Sequence, residues 1–198
     1  MPPTQEPVIM GRRPNPQRKQ DLLEEIVAYL GLNGLGDMSL RPLARQLGTS
    51  TYTLTYQFGS KDELLAEAVD FAQARQLGVI GQWATETPRD SASALLGRYW
   101  RWLHDGDNLR ISRMLIEAST LAHNQPFAEI GRRGVQQWIA ALSEAFAAQG
   151  IADGSGRLAT RTYAALVGLQ IDLIATGEEV RVEAAFNDLC DSLDLAMA

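Results

Sequence analysis

The sequence has few residues of the kinds that bind metals or form disulfides. It contains one cysteine, Cys190, and two histidines, His104 and His123, among 198 residues. A single thiol cannot form an internal disulfide, and three such residues so far apart lack the spacing of a metal site. We therefore predict no metal and no cofactor. The cysteine content favours a reducing compartment, which we expect to be the cytoplasm.

Long apolar runs are equally scarce. The most apolar segment, Thr162 to Ile171, is about half as long as the roughly 20 residues that a membrane-spanning helix needs. The first 17 residues include three prolines before residue 8 and no apolar core of a signal peptide. We expect no membrane-spanning segment, and we expect residues 1–17 to form a flexible basic arm.

A recognisable set of catalytic groups is also missing. The sequence shows no paired nucleophile and base, no glycine-rich phosphate loop and no close pair of carboxylates on one helix. We therefore predict no catalytic residues, and we predict that the chain is not an enzyme.

The net charge of -6 is unevenly distributed. Residues 1–62 carry a net charge of +1, and the remaining 136 residues carry -7. Because the N-terminal third lacks the negative net charge of the rest, it suits a partner that is itself an anion.

Helical periodicity runs along nearly the whole sequence, without convincing alternation of period two. The predicted fold class is all-α, with about nine helices, the first three short and the others longer. The length allows one domain, or a small domain joined to a larger one. The predicted longer helices are Lys61 to Trp83, Asp90 to His104, Asn108 to His123, Pro126 to Gln149, Gly156 to Thr176 and Glu179 to Met197.

Residues 39–58 have the pattern of a helix-turn-helix. Gly48 suits the left-handed turn before the third helix, Thr51 to Phe58. Ala44 is small enough for the two helices to touch, and Leu54 is an apolar anchor on the second of them. Unrelated helical hairpins match this spacing by chance, so it leaves both a structural hairpin and a DNA-binding motif open.

The third helix is predicted to present a polar face that contains no lysine or arginine. At about 100° per residue, Leu54 and Phe58 lie on one side of the helix, and Tyr52 and Tyr56 lie nearly opposite. Outward tyrosines could donate to phosphates and touch base edges. The alternative is that both rings fold down onto neighbouring helices.

The stretch SLRPLARQLGTSTYTLTYQFGSKDELL, with the helix before it, resembles the DNA-binding domain of TetR-family transcriptional regulators. The resemblance covers about residues 18–70 and is carried by Ala44, Gly48, Ser50, Thr53, Leu54, Thr55, Tyr56, Gln57, Phe58, Ser60 and Lys61. The sequence departs from the family pattern at Tyr52, Thr55 and Gln57, largely on the groove-facing side, which affects the operator sequence more than the fold. The resemblance implies that Tyr56 and Lys61 contact phosphate and that the protein is a homodimer.

We predict that the positive charge for DNA binding comes from around the third helix. The predicted DNA-contacting residues are Arg12, Arg13, Arg41, Thr49, Ser50, Thr51, Tyr52, Thr53, Thr55, Tyr56, Gln57 and Lys61. Arg18, Lys19 and Arg45 lie nearby, although Arg45 could equally be an ordinary solvated charge. Backbone amides at the starts of the helices near Ser39, Ser50 and Ser60 could donate to further phosphates.

The resemblance implies a DNA-binding domain at residues 18–63 and a ligand-binding and dimerisation domain at residues 64–198. The candidate pocket residues are Trp100, His104, Met114, Glu117, Trp138 and Tyr163, and filling of the core is the alternative for each of them. Apolar stripes on the last two helices predict a four-helix bundle between two chains, although packing within one chain would also use them. The predicted interface residues are Leu166, Ile171, Phe186, Leu189 and Leu193.

These observations predict a sequence-specific transcriptional regulator. We expect a repressor that binds a palindromic double-stranded DNA operator as a homodimer and responds to a small-molecule effector. Two alternatives stay open. One is a helical small-molecule-binding protein or enzyme whose N-terminal hairpin is structural, and the other is a regulator of the same family that activates.

Overall fold

The computed structural model describes residues 16–36, 38–87, 90–121, 127–148, 150–151 and 156–195. Within these ranges the chain forms helices only, which confirms the all-α prediction and the expected number of about nine. The helices are α1 (Pro16–Asn33), α2 (Leu40–Gln46), α3 (Thr51–Phe58), α4 (Lys61–Glu86), α5 (Ala92–Leu103), α6 (Asn108–Thr120), α7 (Phe127–Ala148), α8 (Arg157–Thr176) and α9 (Glu179–Leu195).

The first core lies among α1 to α4 and extends onto α6. Ile26, Leu30, Leu43 and Leu54 are completely buried in it, and so is Met114 of α6. The three N-terminal helices thus pack against later helices as well as against one another. The predicted boundary between residues 63 and 64 stays a prediction, because the core crosses it.

The second core lies among α5, α7, α8 and α9. Its largest fully buried side chain is Phe146, and Trp100 stacks on Phe186 with ring centroids 4.5 Å apart. The Trp100 indole N–H donates to Glu183 over 2.6 Å. These contacts attach α9 to α5.

Helix α4 joins the two cores. At about 1.5 Å per residue its 26 residues extend about 39 Å. Leu64 and Leu65 near its start belong to the first core, whereas Leu77 and Ile80 near its end pack against the second. Any movement of α4 therefore involves both halves of the molecule.

Helix α6 holds the turn between α1 and α2 through two side chains, Arg113 and Glu117, which we call the α6 clasp. Arg113 donates to the carbonyl oxygens of Gly31 and Leu32 over 2.8 and 3.3 Å. The last carbonyls of a helix have no partner within it, and Arg113 satisfies two of them at the end of α1. Glu117 accepts hydrogen bonds from the backbone amides of Leu35 and Gly36 in this turn.

Within the described ranges no helix is long and apolar enough to cross a membrane.

Candidate nucleic-acid interface and internal cavity

Helix α3 presents the face that its sequence predicts. Leu54 is completely buried and Phe58 is 6% exposed, whereas Tyr52 and Tyr56 are 75% and 58% exposed. The two rings lie roughly parallel, with centroids 6.3 Å apart. They do not fold down onto neighbouring helices, so an aromatic polar surface faces solvent.

The start of α3 is fixed by its own polar side chains. Ser50 accepts a hydrogen bond from the Thr53 amide over 3.0 Å, and their hydroxyls lie 2.8 Å apart. The Thr55 hydroxyl donates to the carbonyls of Thr51 and Tyr52 over 3.1 Å each. Because the Thr55 proton is directed into the helix, this residue offers a partner a methyl group and an acceptor oxygen.

Gly48 makes the turn that places α3. It adopts a φ of +59°, and the following Thr49 amide donates to the Ala44 carbonyl over 2.9 Å. A side chain at this position would be strained by the left-handed backbone. The glycine therefore sets the orientation of α3, and with it the direction in which Tyr52 and Tyr56 point.

The start of α4 carries a complete capping box, as the sequence predicts. The Ser60 hydroxyl accepts from the Glu63 amide over 3.2 Å, and the Glu63 carboxylate accepts from the Ser60 amide over 2.7 Å. These bonds hold the pKa of Glu63 below its ordinary value, with the Ser60 amide as the main cause. Two of the amides that we expected to face phosphate at this helix start are therefore already bound to the chain's own side chains.

The cations near α3 differ in their availability. Arg41 and Arg45 are exposed and Lys61 is half-buried. Lys19 lies 2.6 Å from the Glu67 carboxylate and 5.2 Å from the centre of the Phe58 ring, so its charge is partnered within the chain. Arg12 and Arg13, which we expected in a basic arm, lie outside the described residues.

An internal cavity lies among α4, α5, α6, α7 and α8. Two of the candidate pocket residues, Trp138 and Tyr163, line it together with Tyr99, Gln73 and Gln76. Ser112, Ser119 and Gln170 also reach it. Its volume is about 50 Å³. On the other side of Tyr99 and Trp138 lies a more apolar groove of about 420 Å³.

Polar side chains at the cavity bond to one another. The Gln76 amide donates to the Tyr99 hydroxyl over 3.0 Å, and the Ser112 hydroxyl donates to Gln170 over 2.5 Å. Gln170 in turn donates to the Leu166 carbonyl over 3.2 Å. Burial raises the pKa of Tyr99 and of Tyr163, so both phenols stay protonated at neutral pH.

The structure places the other four predicted pocket residues away from this cavity. Trp100 faces α9, and Met114 faces the first core. His104 is exposed just beyond the end of α5, with its Nδ1 2.8 Å from the Trp100 carbonyl oxygen. Glu117 accepts hydrogen bonds from the amides of Leu35 and Gly36 over 3.0 Å each. The sequence predicts the helices on or beside which these residues lie. It does not predict which neighbouring helix each side chain faces.

The glutamines and serines of the cavity were missed from the sequence. One signal was available at Gln170, which interrupts the apolar face of α8 and is 3% exposed. A polar side chain in such a position must find a partner inside the protein. Gln76 is buried in the same way on α4.

The predicted interface residues divide into two groups. Leu166, Phe186 and Leu193 lie in the chain's own second core and are at most 3% exposed. Ile171 is 48% exposed and Leu189 is half-buried. The three core residues are therefore occupied within one chain, and only the other two are open to a second copy.

Known proteins resemble this chain both in its N-terminal helices and in its overall fold. Residues 22–68 match the model of a family described as bacterial regulatory proteins, tetR family. This stretch of the chain is thus similar to the N-terminal domain of that family. The match confirms the resemblance seen in the sequence, and it covers most of α1, all of α2 and α3, and the first eight residues of α4.

Solved structures show that the TetR-like fold extends over about nine tenths of the chain. A transcriptional regulator from Rhodococcus sp. Rha1 is similar with a TM-score of 0.74 and 21% identity, over 88% of this chain and 95% of that one. A TetR transcription regulator from Haloarcula marismortui ATCC 43049 has a TM-score of 0.72 and 18% identity, over 90% and 97%. A transcriptional regulator from Saccharomonospora viridis in complex with choline has a TM-score of 0.67 and 22% identity, over 91% and 97%. No curated protein matches this chain.

Proposed function

We propose that this chain is a TetR-type transcriptional regulator that binds a palindromic operator as a homodimer and releases it when a small molecule enters the internal cavity. The observation that carries the proposal is the exposed tyrosine face of α3, in a domain that matches the family model. We expect the protein to repress transcription. We also expect it to act in the cytoplasm and to catalyse no reaction.

The proposed contacts with DNA start from α3. Tyr52 and Tyr56 enter a major groove, where their hydroxyls reach phosphates or base edges and their rings touch thymine methyl groups. Arg41, Arg45 and Lys61 surround the helix and supply charge for the backbone. Direct readout is thus assigned to neutral side chains and phosphate binding to the cations around them.

A dimer surface is supported by the exposed stripe along α8. Ala164, Gly168 and Ile171 lie on this stripe one turn apart, and Ile174 continues it with 36% exposure. Small residues let two helices approach closely, and an isologous contact between two copies would cover the isoleucines. On α9 the corresponding apolar residue is Val180, which is 88% exposed.

Ligand response is supported by the helices that surround the cavity. Both α4 and α6 line it, and both also contact the DNA-binding unit. A ligand that displaces either helix would change the position of α3 relative to the α3 of the second subunit. It would thereby favour a state that no longer matches both half-sites.

We would test the proposal by fluorescence anisotropy on a duplex from the DNA upstream of the protein's own gene, against a scrambled duplex, over a series of salt concentrations. A regulator binds the upstream duplex selectively, and the logarithm of its affinity falls with the logarithm of salt by about 0.9 per phosphate neutralised. Equal and weak binding to both duplexes would count against an operator at that position and against the proposed reading of α3.

Two substitutions refine the test. Lys61→Gln should reduce the salt slope by about 1.8 for a dimer, because one phosphate contact is lost in each half-site. Tyr56→Phe should weaken binding to the selected duplex more than to the scrambled one if its hydroxyl reads a base edge, and equally if it binds phosphate. Tyr29→Phe, on the half-buried face of α1, is the matched control and should leave both affinities unchanged.

A further inference from the structure

The lining of the internal cavity contains no charged side chain among the described residues. Its polar members are amides and hydroxyls from four helices, and its walls include the rings of Tyr99, Trp138 and Tyr163. A cavity of this composition can form hydrogen bonds with a guest but offers no counter-ion.

Several charged residues on the same helical turns bond to other partners. Asp70, next to the lining residue Val69, accepts two hydrogen bonds from Arg133 over 2.5 and 2.7 Å. Arg113 and Glu117 form the α6 clasp and face the turn between α1 and α2. Asp172, two residues after Gln170, bonds to Arg181. These charges are therefore bonded to groups of the chain itself, and Arg75, between Gln73 and Gln76, is exposed.

Two polar groups at the cavity are available to a guest. Within the described ranges, neither the Gln73 amide nor the Tyr163 hydroxyl forms a hydrogen bond with the protein. Gln73 lies across α7 so closely that a Cβ added at Gly134 would collide with its amide. The Tyr163 ring lies 6.3 Å from the ring of Trp138. One donor-acceptor amide and one hydroxyl at this aromatic-walled cavity are therefore unpaired.

We infer that the cavity binds a small, uncharged molecule with hydrogen-bonding groups, such as an amide, lactam or alcohol, and excludes organic anions and cations of the same shape. An ion would lose its hydration shell here without gaining a partner of opposite charge. A neutral polar molecule would instead find the unpaired amide of Gln73 and the hydroxyl of Tyr163. The inference specifies the effector class and rests on the proposed function as a ligand-responsive regulator.

The size of the cavity limits the guest further. About 50 Å³ is far below the roughly 300–1,000 Å³ of typical ligand pockets, and it is below the roughly 150 Å³ that accepts benzene. Molecules of a few heavy atoms fit with small adjustments. Larger ones require the Gln73 side chain or a helix to move.

The test uses three probes of nearly identical shape and different charge: acetamide, acetate and acetamidinium. Binding is followed by titration of the Trp138 indole N–H signal in ¹⁵N-labelled protein, assigned with a Trp138→Phe variant. We expect acetamide to bind at least fivefold more tightly than either ion. Choline, the ligand of one structural neighbour, should leave the signal unchanged.

Two variants probe the cavity groups directly. Tyr163→Phe should weaken acetamide binding severalfold, because it removes one hydrogen-bonding hydroxyl and keeps the aromatic ring. Gln76→Glu should reverse the order of the probes in favour of acetamidinium, since the new carboxylate supplies the negative counter-ion that the lining lacks. Gln136→Glu, which places the same charge on the exposed side of α7, should leave the order as it is.

The outcomes are separable from the test of DNA binding, which uses the protein without a ligand. Preferred binding of acetamide with weakening by Tyr163→Phe supports the inference even if Gln76→Glu fails to fold. Tighter binding of choline or acetamidinium would overturn it, because the rings would then act as an aromatic cage for cations. Absence of binding by all four probes would also overturn it, while leaving the regulator proposal standing.

Discussion

Replacing Glu117 by alanine should lower the free energy of unfolding by about 1.5–3 kcal/mol. The carboxylate accepts hydrogen bonds from the amides of Leu35 and Gly36, each over 3.0 Å. These bonds join α6 to the turn that follows α1, in which Gly34 has a φ of +79°. The side chain therefore holds together two parts of the chain that are more than 80 residues apart in sequence.

The magnitude follows from the burial of the two donors. Leu35 is 3% exposed, so its amide has little access to water once the carboxylate is gone, and an unsatisfied buried donor costs about 1–3 kcal/mol. Gly36 is exposed, so its amide can bond to water and adds only a fraction of that amount. Glu117→Gln keeps an acceptor oxygen and should cost less than the alanine variant.

The assay is urea unfolding at equilibrium, with hydrogen exchange at the amides of Leu35 and Gly36. Glu25→Ala, on the exposed side of α1, is the control and should change the free energy by less than about 0.5 kcal/mol. A Glu117→Ala effect as small as that of the control, with unchanged protection of the Leu35 amide, would refute the role assigned to the α6 clasp.

Three further predictions concern single groups. Ser60→Ala removes the hydroxyl that caps α4 and should lower the free energy of unfolding by about 0.5–2 kcal/mol in the same assay; a neutral result would contradict the capping role. Burial raises the pKa of Tyr99 and Tyr163, so their contribution to stability is complete below about pH 10 and is lost as the pH rises above it. Urea midpoints between pH 9 and 11 should therefore fall, less steeply in Tyr99→Phe. Burial, with nearby acidic residues, raises the pKa of Cys190 to about 11, so iodoacetamide at pH 8 should alkylate it on the order of 100-fold more slowly than the unfolded chain; equal rates would exclude this environment.

The α3 face could be predicted from sequence because it depends on local geometry. The period of an α-helix and the identity of two apolar anchors, Leu54 and Phe58, decide which way Tyr52 and Tyr56 point. The capping box at Ser60 depends on residues three apart in sequence, so it was equally predictable.

The cavity could not be predicted in the same way, because long-range packing decides it. Trp100 and Trp138 look alike in sequence, yet the first stacks on Phe186 of α9 and the second meets Tyr99 and Tyr163. An amphipathic pattern shows that a helix has a buried face but not which helix covers it. The same limit applies to Leu166, whose apolar stripe serves the chain's own core.

The two faces of α6 have a consequence for how far a ligand can act. Ser112 and Ile116 line the cavity. The residues that directly follow them, Arg113 and Glu117, hold the turn between α1 and α2. Adjacent residues of one helix are rigidly related, so α6 cannot retreat from a guest without carrying that turn along. In a cavity of about 50 Å³, each heavy atom of the guest that the Gln73 side chain cannot make room for must displace a helix. Among neutral effectors we therefore expect molecular size, more than affinity, to determine how strongly DNA binding changes.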